Sequence, residues 1–352
     1  MAASVVVGMS GGVDSSVAAY LLKKQGYNVI GVTMELWQEK NSGVSSGTED
    51  ARRVASDLGI PFYVVDFKEQ FKKDVVDYFT NSYLCGETPN PCIVCNRRIK
   101  WEALLAKAQT FGADFIATGH YSKVLKHPET GRFCLALADT GTKDQTYALY
   151  NLTQHQLEHT IMPLGEYEKD DIRAMAKEIG LVVADKPDSQ DICFVPDGDY
   201  AAFIGRNVES VPPEGDFVDI EGNAVGQHKG IIHYTIGQRK GLGIAFGVPT
   251  YVCGIDSKNN RVVLGGNEDL FKREVFVRDY NPMAFEVPKG KMQVMGKLRY
   301  SQRINPCVIE AIGNRIKCTF EEPQRAPSPG QAAVFYKDGY VVGGGIIETD
   351  RI

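Results

Sequence analysis

The stretch SVVVGMSGGVDSSVAAYLLKK, Ser4 to Lys24, decides the fold. SVVVGM is a short unbroken apolar run, the pattern of a parallel strand buried on both faces. After two glycines, Val17, Ala18, Leu21 and Leu22 recur at helical spacing, and Gly26 closes that helix. The chain therefore opens as strand, glycine-rich loop, helix. In the loop, Gly11 and Gly12 let main-chain N–H groups approach an anion with no Cβ in the way. The helix N-terminus adds its dipole. Ser10, Ser15 and Ser16 bring hydroxyls, and the Asp14 carboxylate can hold magnesium beside phosphate oxygens. The Gly-Lys-Ser/Thr ending of a Walker A loop is missing, and the glycine spacing is not that of a dinucleotide fingerprint. A Gly-Gly turn with an Asp cap is the plain structural alternative.

Reading outward, NVIGVTM (28–34), PFYVVDF (61–67) and DFIATG (114–119) are further strands. Helical patterns lie between them, near 49–58, over 68–83 and over 95–111. This alternation predicts a doubly wound parallel sheet, with ligands at the carboxyl ends of its strands. Residues 144–182 read as mostly helical, and the chain becomes loop-rich after Pro187. From about residue 206 short strands are broken by Gly, Pro and Asn, an all-β pattern. The expectation is an α/β catalytic domain over 1–205, a small mixed or β domain over 206–270, and a C-terminal β-barrel over 271–352. NSGVSSGTED (41–50) reads as a mobile flap.

The chain has 352 residues, 43% of them apolar, and a net charge of −5. No apolar run is long enough to span a membrane, and the N-terminus reads as a buried strand of a cytoplasmic protein, not a leader. The charge is uneven: residues 271–352 balance at +4 and the first 270 at −9. A basic tail on an acidic body can steer nucleic acid locally. Eight cysteines in a reducing compartment should be free thiols. Cys134, Cys253 and Cys318, set in apolar runs, read as core residues.

Cys92 and Cys95, in NPCIVCNRR, are different. Asn90 caps a helix and Pro91 fits its first turn, so the two thiols share a helix N-terminus. That dipole and Arg97/Arg98 should lower their pKa. The pair can be a metal clamp, a redox dithiol or a seat for reactive sulfur. A zinc site wants four ligands, and no second close Cys/His pair exists. A thioredoxin-like dithiol would stand where the glycine loop stands. A third thiol, Cys193, lies in KPDSQDICF (186–194), a loop rich in Asp.

The order SGGxDS after a strand resembles the pyrophosphate loop of ATP pyrophosphatases. With TPNPCIVCN (88–96), ATGHY (117–121), KDQTY (143–147), KPDSQDICF, HYTIGQRKGLGI (233–244), LRYSQ (298–302) and SPGQAAVFY (328–336), the chain resembles the tRNA-specific 2-thiouridylases along essentially its whole length. That resemblance implies ATP and Mg as cofactors, with ATP held by Gly8, Met9, Ser10, Gly11, Gly12, Val13, Asp14, Ser15, Met34 and Gly119. It implies adenylation of the 2-oxygen of the wobble uridine and its replacement by sulfur. Cys193 would carry a persulfide received from a relay protein, and Cys95 would be the partner nucleophile. Asn90, Pro91 and Cys92 would meet the target base. His120, Lys143, Asp144, Gln145, Arg299, Tyr300 and Gln331 would meet tRNA, with Lys143 and Arg299 on phosphates and Tyr300 stacking on a base; Arg239 and Lys240 are weaker contacts. Many members have Asp where this chain has Cys92, so Cys92, Cys95 and Cys193 could instead hold a [4Fe–4S] cluster with sulfide on its open iron. A small-molecule amidotransferase or ligase would share the loop but not the thiols.

Overall fold

The computed structural model describes residues 2–39, 47–140, 143–187, 192–244 and 247–348; of the expected flap, 41–46 lie outside them. Strands β1 (Ser4–Gly8), β2 (Asn28–Glu35), β3 (Phe62–Asp66) and β4 (Phe115–Ala117) are followed by a hairpin of β5 (Lys123–Lys126) and β6 (Phe133–Ala136), then by β7 (Thr160–Ile161). The first sheet has the order β3-β2-β1-β4-β7, parallel at every pairing.

Alternation along β1 explains why both faces are covered. Val5 and Val7 enter a core with Val17 and Leu22 of helix α1 (Val13–Lys24) and Val54 of α2 (Thr48–Asp57). Val6 enters a different core with Trp101, Leu104 and Leu105. Those three belong to a helix over 91–110, α4, which follows a helix over 68–84, α3. Each carries an inserted stretch of π winding, at Lys72–Val76 and at Asn96–Ala103. The second begins directly after Cys95.

The segment 144–182 is less helical than expected. It contains the edge strand β7, whose Thr160 and Ile161 pair with Ile116 and Ala117. Its short helix Gln154–Glu158 is started by a capping box of Thr153 and Gln156, and a longer helix spans Lys169–Glu178. The loop-rich stretch after Pro187 also holds a helix, Tyr200–Asn207, capped by Asp199.

The second half is β-rich, as expected. Strands β8 (Gly215–Val218), β9 (Ala224–His228), β10 (Tyr251–Asp256) and β11 (Arg261–Gly265) form a small sheet in the order β10-β11-β8-β9. Six strands follow, β12 (Phe271–Pro282), β13 (Met292–Lys297), β14 (Asn305–Ile312), β15 (Arg315–Arg325), β16 (Ala332–Lys337) and β17 (Tyr340–Ile347), in the order β12-β15-β14-β13-β16-β17. The β12–β17 pairing closes them into a barrel around Val277, Ile309, Phe320 and Phe335.

The barrel is not separate from the first half. The β5–β6 hairpin, which strand periodicity alone did not reveal, joins its sheet through Ala136 and Tyr340. One core runs from Val6 and Ile116 of the parallel sheet through Leu135 to Val334 and Val341 of the barrel. Arg132 Nε donates to Met283 O at 2.8 Å and Asn281 Nδ2 to Tyr150 O at 2.9 Å.

Candidate active site

The glycine loop lies at the carboxyl end of β1. Gly12 is the N-cap of α1, with no side chain capping it, which leaves the first-turn N–H groups to the loop. Gly11 has φ +70°, and a Cβ there would stand 2.2 Å from Gly47 O. Gly47 is itself the N-cap of α2, so two helix N-termini meet at this loop. Ser15 Oγ accepts from Ser10 N at 3.2 Å, and Ser16 Oγ donates to Gly12 O at 2.8 Å. Gly119 closes in from β4: a Cβ there would be 2.6 Å from Ser15 N. Gly8 and Met34 stand side by side at the strand ends.

Two side chains expected at ATP are used elsewhere. Met9 is buried in the core, its N–H bonded to Val32 O and its carbonyl to the Thr33 hydroxyl. Val13 is buried on the inner face of α1. Asp14 does not present the open carboxylate that magnesium needs. Lys169 Nζ donates to both its oxygens at 2.7 Å, and the Tyr121 hydroxyl donates to Oδ1 at 2.7 Å. With Asp14 so engaged, the residues present do not fit a metal held by this carboxylate. Lys186, from KPDSQDICF, donates to Gly11 O at 3.0 Å and to Asp50 of α2 at 2.8 Å.

The thiols gather beside α4. Asn90 caps that helix, its Oδ1 accepting from Cys92 N at 3.2 Å, and Pro91 is at N1. Cys95 is buried, while Cys92 and Cys193 reach solvent. The three lie close enough for Cys92 and Cys193 to raise the pKa of Cys95, and for Cys92 to raise that of Cys193. Residues 188–191, just before Cys193, lie outside the described residues.

The expected lowering of thiol pKa is overturned. Burial pushes Cys95 up to about 12 and raises Cys92 and Cys193 as well. Loss of hydration outweighs a helix end that screens only its first turn. The opposing cation is neither Arg97 nor Arg98, whose side chain pairs with Glu102, but Lys100. It acts on all three thiols and on His120. Sequence reading missed it because α spacing turns a residue five positions on away from Cys95, whereas i→i+5 winding brings it back.

His120 joins the two halves of the site. Its Nδ1 shares a hydrogen bond of 2.7 Å with Thr118 Oγ1, and its ring lies 5.4 Å from that of Trp101 on α4. Burial holds its pKa well below the ordinary 6.5, so the ring is neutral. The three sulfurs are not a single-ion site. Among the described residues, the His/Cys/Asp/Glu group compact enough for one ion is His155, Glu158 and His159. That group lies at the amino edge of the sheet, where His159 Nδ1 meets Asp114 O. Three cysteines on separate irons of a cubane stand farther apart, so the donor set itself suits a [4Fe–4S] cluster.

The more distant expected residues fall into two groups. Tyr300 is exposed, its hydroxyl 3.4 Å from Asp144 O and its ring under Lys297, so LRYSQ and KDQTY are neighbours beside Lys143. Arg239 and Lys240 are exposed on the loop after β9. The others are turned inward. Asp144 receives Thr146 and Ala138 N–H groups, and Gln145 Oε1 accepts from Tyr121 N. Arg299 does not point at a phosphate: its Nη2 donates to Ala326 O, Ser328 Oγ and, at 3.3 Å, Ile236 O of HYTIGQRKGLGI. Gln331 Nε2 donates to Thr88 O at 2.8 Å. These residues brace the site.

Comparison with known proteins gives the family. The chain is 54% identical to tRNA-specific 2-thiouridylase MnmA of Clostridioides difficile (strain 630), over 98% of each chain. The chain belongs to the tRNA-specific 2-thiouridylase family. The relative of the same name from Lachnoclostridium phytofermentans is also 54% identical, over 97% of this chain and 99% of its own. The family regions described as tRNA methyl transferase HUP domain, tRNA methyl transferase PRC-barrel domain and aminomethyltransferase beta-barrel domain match residues 3–197, 201–266 and 272–347. A solved U34-tRNA thiolase, NcsA from Methanococcus maripaludis with its [4Fe–4S] cluster, is 21% identical, covering 59% of this chain and 67% of that one at a TM-score of 0.34. Among the described residues no helix is long and apolar enough to cross a membrane.

Proposed function

We propose that this chain replaces the 2-oxygen of the wobble uridine of tRNA with sulfur at the expense of ATP. The observation that carries this reading is the shared edge. The glycine loop Gly8–Ser16 follows β1 and is approached by Gly119 after β4, while the next residue, His120, contacts Trp101 of α4 and shares Lys100 with all three thiols. ATP would lie across Gly11, Gly12 and Ser15, with Met34 and Gly119 near the nucleoside. The uridine O2 attacks the α-phosphate, pyrophosphate leaves, and the base becomes an O-adenylate with AMP as a good leaving group. Asn90, Pro91 and Cys92, at the head of α4, would receive the extruded base. A neutral His120 can donate or accept one hydrogen bond beside it without adding charge.

Sulfur arrives as a persulfide on Cys193, which like Cys92 reaches solvent. Cys95 attacks the Cys193 sulfur and expels sulfide. Sulfide adds at C2 and AMP departs, leaving a Cys95–Cys193 disulfide that an external thiol reduces. The donor is a relay protein or other persulfide. Lys100 stabilises whichever sulfur is anionic. The presence of a third thiol favours a second reading, in which Cys92, Cys95 and Cys193 would hold a [4Fe–4S] cluster supplying an open iron for sulfide.

The test is mass spectrometry of tRNA after incubation with enzyme, ATP and a sulfur source. Exchange of one oxygen for sulfur at the wobble uridine is expected, and unchanged tRNA would refute the assignment. Full activity of iron-free protein fed by a persulfide donor would eliminate the cluster; loss of activity in Cys92→Ser alone would weaken the persulfide route.

A further inference from the structure

Lys169 opens the helix Lys169–Glu178 and Lys186 follows that helix, yet neither has a role in the reaction above. Their placement is odd for cations. A helix N-terminus carries partial positive charge, which favours anions and disfavours ammonium groups. Lys169 is the first residue of its own helix, and its ammonium is bonded to Asp14 in the first turn of α1. Its side chain is only 11% exposed, so little water softens that repulsion. Lys186 is bonded to Gly11 O and to Asp50 in the first turn of α2. Two helix N-termini, those of α1 and α2, and two ammonium groups thus meet at one glycine loop. Asp14 and Asp50 are each paired with a lysine, and Asp14 is the one acidic residue in the first turn of α1, so that helix end keeps no unpaired carboxylate. Such an arrangement favours an anion at the loop, where main-chain N–H groups and two ammonium groups are within reach.

We propose that Lys169 is a ligand of the ATP polyphosphate, held ready on Asp14 and Tyr121, and that it provides at Asp14 the positive charge that a metal ion was expected to provide. This rests on the ATP-dependent reading above. When the uridine O2 bonds to the α-phosphorus, the bond from that phosphorus to the bridging oxygen breaks and its electron pair stays with pyrophosphate. Lys169 balances that charge without giving up its proton. The Tyr121 hydroxyl, 2.7 Å from Asp14 Oδ1, keeps the carboxylate occupied while the ammonium turns to phosphate. A merely structural Lys169, a clip between α1 and the helix after it, would have no preference among nucleotides.

Equilibrium binding of ATP, AMP and inorganic pyrophosphate to the full chain separates the two. In Lys169→Met, affinity for ATP and pyrophosphate is expected to fall at least tenfold and affinity for AMP to change less than twofold. Lys169→Arg should retain most of the ATP affinity. Lys169→Gln, which keeps a donor for Asp14 and loses only the charge, replaces the Met variant if that one does not fold. ATP binding weakened less than threefold by loss of the charge, or AMP weakened as much as ATP, would overturn the proposal. Failure of the unaltered chain to bind ATP at all would instead sink the nucleotide reading on which it rests.

Discussion

A thiolate reacts and a thiol does not, yet burial keeps all three site thiols protonated beyond the ordinary value of 9.0. Among the described residues, Lys100 is the cation that acts on every one of them. Lys100→Met is expected to slow alkylation of Cys193 by iodoacetamide at pH 8 by roughly three- to tenfold, since one pKa unit is a factor of about ten. Peptide mass spectrometry reads this directly, and an unchanged rate would remove Lys100 from the site. His120 acts in the opposite direction. Its pKa in the fold lies below the ordinary 6.5, so the unfolded chain binds the proton more readily and stability is lost as pH falls below 6.5. The thiols are raised, so their contribution holds below pH 9 and is lost above it. Melting temperature should therefore be highest between about pH 6.5 and 9, and His120→Gln should flatten the acid side. Cys95 and Cys193 stood out in the sequence because their motifs are distinctive. The sign of the thiol shift did not, because burial is a property of the fold and not of NPCIVCNRR.

Among the elements, β1, the glycine loop and α1 were readable residue by residue, and they fix the site. Gly11→Ala tests how tightly. The positive φ alone costs ~1–2 kcal/mol for a residue with a Cβ, and that Cβ would meet Gly47 O at 2.2 Å. Loss of ATP binding with a drop in urea midpoint is expected; normal ATP binding would show that the loop tolerates widening. Helix α4 was readable except for its winding. Nothing in NRRIKWEA departs from helical periodicity enough to announce a π stretch, and that stretch sets where Lys100 points. The short strands β5, β6 and β7 were missed for a different reason. At two to four residues they carry too little alternation to register, and the partners that stabilise β6 lie some 200 residues on.

At the scale of the molecule, the barrel braces the loop that leads into Asn90 and Pro91 at the head of α4. Arg278 holds Glu87 through two hydrogen bonds of 2.9 and 3.0 Å. Thr88 N donates to Pro329 O at 2.7 Å, and Gly330, at φ +86°, leaves no room for a Cβ against Glu87 and Thr88. Arg278→Met should cost about 2 kcal/mol, less than the ~3–5 of a fully buried pair because Arg278 is partly exposed. Turnover should fall while ATP affinity holds; loss of both together would mean that the brace reaches the phosphate loop. Arg299 offers a sharper contrast. A phosphate contact contributes about one to the slope of log affinity for tRNA against log salt concentration. Because Arg299 is bound to main-chain carbonyls, Arg299→Met should lower the melting temperature and leave that slope unchanged. The residue numbers were legible from motif likeness, but whether each faces RNA or protein was decided by packing between segments far apart in sequence.

The β5–β6 hairpin also sets an order for the chain's birth. Its free edge at Ala136 waits for Tyr340, which leaves the ribosome roughly ten to forty seconds later at 5–20 residues per second. Until then an unpaired strand edge is exposed on a half-made catalytic body, the kind of surface that pairs with the wrong neighbour. A chain cut short after the parallel sheet would keep that edge permanently, so the ATP-binding half is not a portable module and its solubility depends on the last strand made.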